Sequence, residues 1–271
     1  MPAAAKKCAF CDNPAVSKGG EHLWDNWLNE KLPRKTRFHA KKQLSINSPS
    51  IEFGQVGLKE QVPAVCQKCN ERWMSALTGR VKQRFSASIL DGAPFTLDTE
   101  DAVTLAAFTL LKAIVKNYVY GNDDPFFTRE TSAELRKTLA IPAEIKMWVA
   151  AYQGSSRYAF HSNFYTVDCA LPPLKGMEFF CYTYIANNLV LQLLAPRWKD
   201  VGNSGKPLLT FTPSPNWQPA TVQFWPPSSE TLLWPPEKYL GDSTIKEFIQ
   251  RFQVPVNLHL WIPHTPATPS P

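Results

Sequence analysis

Apolar residues recur along this chain with helical and then strand-like periods. Leu23, Trp24, Trp27, Leu28 and Leu32 form a helical stripe. They predict a short helix beginning near Glu21 and stopped by Pro33. Trp73, Leu77, Val81 and Phe85 are spaced four apart and make one face of a second helix, over about 70–90. Asn70 is placed to cap that helix, its side-chain oxygen accepting from the first turn. "EDAVTLAAFTLLKAIVKNYVYG" is the strongest helix pattern, closed by Gly121 and interrupted by Lys112 inside its apolar run. A further helix is expected from Arg129 to Leu139. The span 31–60 reads as loop and short strands, with Ile51, Phe53 and Val56 on the buried side.

The period changes after Ala143. "EIKMWVAAY", "RYAFHSNFYTVDC", "MEFFCYTYIANNLVLQLLA" and "ATVQFWPP" are aromatic and β-branched, with Gly, Pro and Asn between them. They read as antiparallel strands. "STIKEFIQRF" predicts a last helix opened by a capping box of Thr244 and Glu247. "IPHTPATPSP" reads as a mobile Pro-rich tail. "DGAPFTLDTED" is a linker by its turn residues, which puts a boundary near 93. The division is then 1–93, an α+β accessory domain over 94–262, and a tail over 263–271.

Charge adds an asymmetry to this division. Residues 1–90 carry 15 Lys and Arg against 7 Asp and Glu, whereas the remainder carries 14 against 16. A basic module on a near-neutral body suits a polyanionic partner, nucleic acid first. With 44% hydrophobic residues the composition is that of a globular protein and excludes a disordered one. "MPAAAKKCAF" lacks the apolar segment of a secretory signal, and no run reaches the roughly 18 apolar residues of a membrane span. The expected location is the cytoplasm, with no membrane partner. In that reducing compartment paired cysteines are metal ligands more often than disulfides.

Four of the six cysteines fall in two matched C-x-x-C pairs, Cys8/Cys11 and Cys66/Cys69. Two such knuckles can set four thiolates tetrahedrally around a structural zinc ion. Cys169 and Cys181 lie in apolar runs and read as core. A zinc clip would bring Glu21 and His22 close to Asn70. A carboxylate and an amide oxygen are hard ligands suited to Mg²⁺ or Mn²⁺, and an imidazole beside them can take a proton from water. Read singly, Glu21 could equally favour a helix N-terminus, and Asn70 could be only a cap.

The pattern "C-x2-C … E-H … C-x2-C-N" resembles the HNH, or ββα-metal, endonucleases. It is most similar to their zinc-containing branch, typified by the phage resolvase endonuclease VII, and to uncharacterised bacterial HNH-type proteins. The resemblance covers residues 8–90. It implies structural zinc on Cys8, Cys11, Cys66 and Cys69, catalytic Mg²⁺ or Mn²⁺ on Glu21 and Asn70, and His22 as general base. Glu21 stands where the family usually has Asp. The fold implied is α+β: an N-terminal zinc-clipped ββα-metal module, a helical segment, then an antiparallel β-rich domain. The activity implied is hydrolysis of phosphodiester bonds in nucleic acid, DNA before RNA. Lys31, Arg34, Lys35, Arg37, Lys41, Lys42, Arg80, Lys82 and Arg84 are then the expected phosphate contacts. Two other readings stay open. One is a catalytically inactive zinc-dependent module that binds nucleic acid or protein. The other is an interaction protein working through its aromatic sheet. Oligomeric state is open, a homodimer included.

Overall fold

A computed structural model describes residues 7–15, 20–31, 37–42, 51–57, 61–118, 125–155, 158–166, 177–198, 208–211, 215–228, 231–252 and 258–261. The elements run β1 (Glu21–His22), α1 (Asn26–Lys31), β2 (Arg37–Lys42), β3 (Ile51–Gly57), β4 (Gln61–Val62) and α2 (Gln67–Cys69). A π-helical turn over Asn70–Met74 then leads into α3 (Ser75–Asp91). Next come β5 (Phe95–Leu97), α4 (Thr99–Tyr118), α5 (Arg129–Thr138), β6 (Lys146–Ala151), β7 (Tyr158–Thr166), β8 (Met177–Ala186) and β9 (Leu189–Trp198). The chain continues through β10 (Leu208–Phe211), β11 (Thr221–Trp225), β12 (Leu232–Trp234), α6 (Asp242–Gln250) and β13 (Leu258–Trp261). The protein is mixed helix and sheet, as expected.

The largest sheet has the order β11-β6-β9-β8-β7 and is antiparallel throughout. Its side chains alternate between two covered faces. Met147, Val149, Tyr182, Tyr184, Leu191 and Leu193 join the main core, which includes Leu105, Leu110 and Ile114 of α4. Ala150, Tyr152, Ile185 and Val190 face Ile245, Phe248 and Ile249 of α6. Burial on both sides explains why β8 reads as an almost continuous apolar run. On its far side α4 meets α3, whose Leu77, Val81 and Phe85 are buried as their spacing predicts, with Trp73 half-buried. Glycine closes α3, with Gly92 left-handed at φ 73°. The main core includes residues from Cys8 to Trp234.

Three local expectations are corrected. Glu21 and His22 form a strand, not a helix start; they pair with Val62 and Gln61, and the helix waits until Asn26. A Cβ on Gly20 would lie 1.9 Å from the Val62 carbonyl, so only glycine lets the two strands approach there. Asn70 is no cap. The helical run begins at Gln67, and Asn70 is αR with its N–H bonded to Cys66 O. In α6 the capping partner is Thr244, which accepts from the Gly241 N–H at 2.8 Å; Glu247 takes no part. Arg37–Lys42 pairs with Ile51–Gly57, two short strands within the span read as loop and short strands. The stops at Pro33 and Gly121 and the tail lie outside the described residues. No described helix is long and apolar enough to cross a membrane.

Candidate metal centre and buried ion cluster

The four cysteines converge. All four Sγ atoms lie within 4.8 Å of one another, with Cys11–Cys66 at 3.5 Å and Cys69–Cys11 at 3.6 Å. A tetrahedron with bonds of about 2.3 Å has edges of about 3.8 Å, so the spacing suits a tetrathiolate metal site and is far too long for disulfides. The first knuckle is closed by Cys8 N donating to Asn13 O at 2.8 Å, the second by Cys69 N to Cys66 O at 3.1 Å. Hydrogen bonding from Cys69 holds the Cys8 thiol down at about 4, while burial pushes Cys11 up. The same contact with Cys8 raises Cys69. A metal ion would remove this contest by taking all four as thiolates. This cluster could hold a metal ion, and among the described residues it is the one such group of three or more His, Cys, Asp or Glu ligands.

Arg129, at the start of α5, clamps the first knuckle from outside. Its guanidinium donates to Cys8 O at 3.3 Å, Cys11 O at 3.0 Å and Asp12 Oδ1 at 3.2 Å. Those bonds orient the backbone that carries two of the ligands. Arg129→Ala is expected to speed metal release to a chelator about fivefold, the loss of roughly 1 kcal/mol. A colorimetric chelator assay measures it.

Glu21, His22 and a residue not singled out from sequence, Asp25, meet Lys112. The Lys112 side chain is 1% exposed, and Glu21 and Asp25 are 7% and 5% exposed. Nζ donates to Glu21 Oε1 at 2.7 Å, to Asp25 Oδ1 at 2.7 Å and to His22 O at 3.0 Å. All three protons of the ammonium are therefore used. Burial alone would lower the Lys112 pKa, but Asp25 and Glu21 outweigh it and hold the ammonium charged well above its usual range. Burial raises Asp25, with Lys112 pulling the other way. The second oxygen, Asp25 Oδ2, is buried and has no hydrogen-bond partner. Two carboxyl groups thus share one ammonium.

His22 is half-buried on the ribbon formed by β1 and β4. The Gln61 amide Nε2 lies 2.9 Å from His22 Nε2, so the amide donates and the ring nitrogen accepts. Asn70 is half-buried directly after Cys69. Of the expected phosphate contacts, Arg80 and Lys82 are exposed on α3. Arg84 is tied back by Asp101 Oδ2 at 2.7 Å and Thr96 O at 2.8 Å. Lys31 is exposed; Arg34 and Lys35, and the side chains of Arg37, Lys41 and Lys42, lie outside the described residues.

Asp25 was missed because an acid four residues after Glu21 reads as ordinary helix surface. Lys112 was visible as an isolated cation in an apolar run, but nothing local names its partners. No family model, curated protein or solved structure matches the chain.

Proposed function

We propose that the four cysteines hold structural zinc and that the protein is an HNH-like, divalent-metal-dependent endonuclease acting on DNA. One observation carries this reading. The ribbon bearing Glu21 and His22 runs through β4 directly into the Cys66–Cys69 knuckle and the helix bearing Asn70, with the thiol cluster bracing both ends. α1, β2 and β3 lie between the two ribbon strands in the chain, but a two-stranded ribbon leading into a helix is the arrangement that the resemblance to a ββα-metal site implies. Glu21 and Asn70 would hold Mg²⁺ or Mn²⁺. The donors fit by type, all oxygen, and the unpartnered Asp25 Oδ2 adds a carboxylate to the neighbourhood. A cation there would stabilise charge on the phosphate and on the leaving oxygen.

The protein's own part is proton transfer and positioning. His22 Nε2, which accepts from Gln61 in the structure, would accept instead from a water. The water oxygen bonds to phosphorus, the P–O3′ bond breaks, and the released oxygen takes up a proton. Arg80 and Lys82, with Lys68 and Arg72 exposed on the same helical run, offer phosphate contacts. The test is Mg²⁺- or Mn²⁺-dependent nicking of supercoiled plasmid. His22→Ala is expected to lower the rate at least about 100-fold, the scale of general-base catalysis. Equal rates in both proteins would remove His22 from the chemistry.

One observation favours a second reading, a nucleic-acid-binding module without turnover. The Lys112 ammonium already occupies Glu21 Oε1. That module would bind DNA with a steep salt dependence and cut none.

A further inference from the structure

We propose that Lys112 and Asp25 are positioning residues of the cation site that Glu21 and Asn70 are proposed to form. This rests on the endonuclease reading. Lys112 is too deeply buried to touch a nucleic acid, so any role it has must pass through the groups it holds. Those groups are the first carboxylate oxygen of Glu21, the backbone carbonyl of His22, and Asp25. One ammonium thus fixes the proposed metal ligand and the backbone of the proposed base together. Taking Oε1 leaves Oε2 as the Glu21 oxygen outside the ion pair. Asp25 fixes Lys112 in turn, accepting from Nζ at 2.7 Å.

The arrangement spans the predicted boundary. Lys112 stands in the middle of α4, with Phe108 one turn before it 5.5 Å from Nζ, and α4 is braced by α3 and by the large sheet. The geometry of a site on a two-residue strand is thereby set from the rigid centre of the molecule. This assigns residues 94–118 a part in the site that the basic module alone would lack.

The experiment measures Mn²⁺ binding by the EPR signal of free Mn²⁺, alongside plasmid nicking, in the full-length protein. Lys112→Met/Asp25→Asn removes the ammonium that orients Glu21 together with one of the two carboxyl groups facing it. Asp25→Asn alone keeps Lys112 and the shape of the side chain, and stands in if the double variant fails to fold. Zinc content and circular dichroism report the fold. Loss of positioning predicts Mn²⁺ affinity and nicking each reduced about 10- to 100-fold, with KM for plasmid little changed. Wild-type values in either folded variant would overturn the assignment. So would tighter Mn²⁺ binding, because Lys112 would then be a competitor of the metal. A wild-type protein that neither binds Mn²⁺ nor nicks overturns the endonuclease reading itself, and this assignment with it.

Discussion

Stripping the metal proposed for Cys8, Cys11, Cys66 and Cys69 is expected to unfold the N-terminal ribbon and expose its tryptophans. The reason is the small amount of ordinary structure there. Beyond its own Cys8 N to Asn13 O bond and the Arg129 clamp, the first knuckle is held by one isolated bridge, Lys7 to Pro14, and by Ala9 N donating to Ala64 O at 2.8 Å. The ribbon has two residues per strand. An isolated pair of strands that short is not stable in water. Structural zinc contributes on the order of 10 kcal/mol to small sites. The buried Trp24 and Trp27 and the half-buried Trp73 should therefore lose their fixed environment when the metal leaves. Near-ultraviolet circular dichroism before and after chelation measures this, and zinc, not Mg²⁺, should restore the spectrum. Cys66→Ser should behave like the stripped protein. Because binding requires thiolates, acid should release the metal as well, with stability lost as pH falls. An unchanged spectrum and melting curve after complete removal would show that packing alone holds the ribbon.

Sequence periodicity was a good guide wherever one element buries one face. The stripe Leu77, Val81, Phe85 needs only α3 itself to be read, and α5 announces itself with Thr128 accepting from Thr131 N and Leu139 left-handed at its end. The sheet strands were legible because β-branched and aromatic runs of that length do not suit a helix. The failures share a different cause. Leu23, Trp24, Trp27 and Leu28 are buried as predicted, but the helix covers only the later part of that stripe. Glu21 and His22 are drawn into a strand by Gln61 and Val62, far along the chain. Asn70 looked like a cap because the preceding knuckle was expected to stay outside the helix; instead Gln67–Cys69 is already helical. The thiol cluster was readable because its chemistry is written in matched local pairs. The ion cluster was not, since Lys112 lies about ninety positions from Glu21 and carries no spacing code.

Lys112→Met is expected to destabilise the protein by about 3–5 kcal/mol, the cost of leaving a buried charge without its partner. Two carboxylates would then face each other in a site from which water is excluded. Restoring balance should restore stability. Glu21→Gln/Asp25→Asn/Lys112→Met, which buries no charge, should recover most of the loss, because replacing a whole buried ion cluster is far milder than breaking one. The pH dependence separates this from a simple packing defect. In the wild type the raised Lys112 pKa contributes stability that is complete below the unfolded lysine value of about 10.4 and is lost as pH rises above it. In Lys112→Met the facing carboxylates are pushed above their unfolded values of about 4, so protonation favours the folded form and the deficit should grow as pH rises from about 4 to about 8. Urea titrations of the wild type and both variants from about pH 4 to about pH 8, extended for the wild type to about pH 11, measure these effects. A deficit of Lys112→Met that is the same at every pH, and that the triple variant does not repair, would mean that Lys112 contributes through the packing of its methylene chain and not through the charge it shares with Glu21 and Asp25.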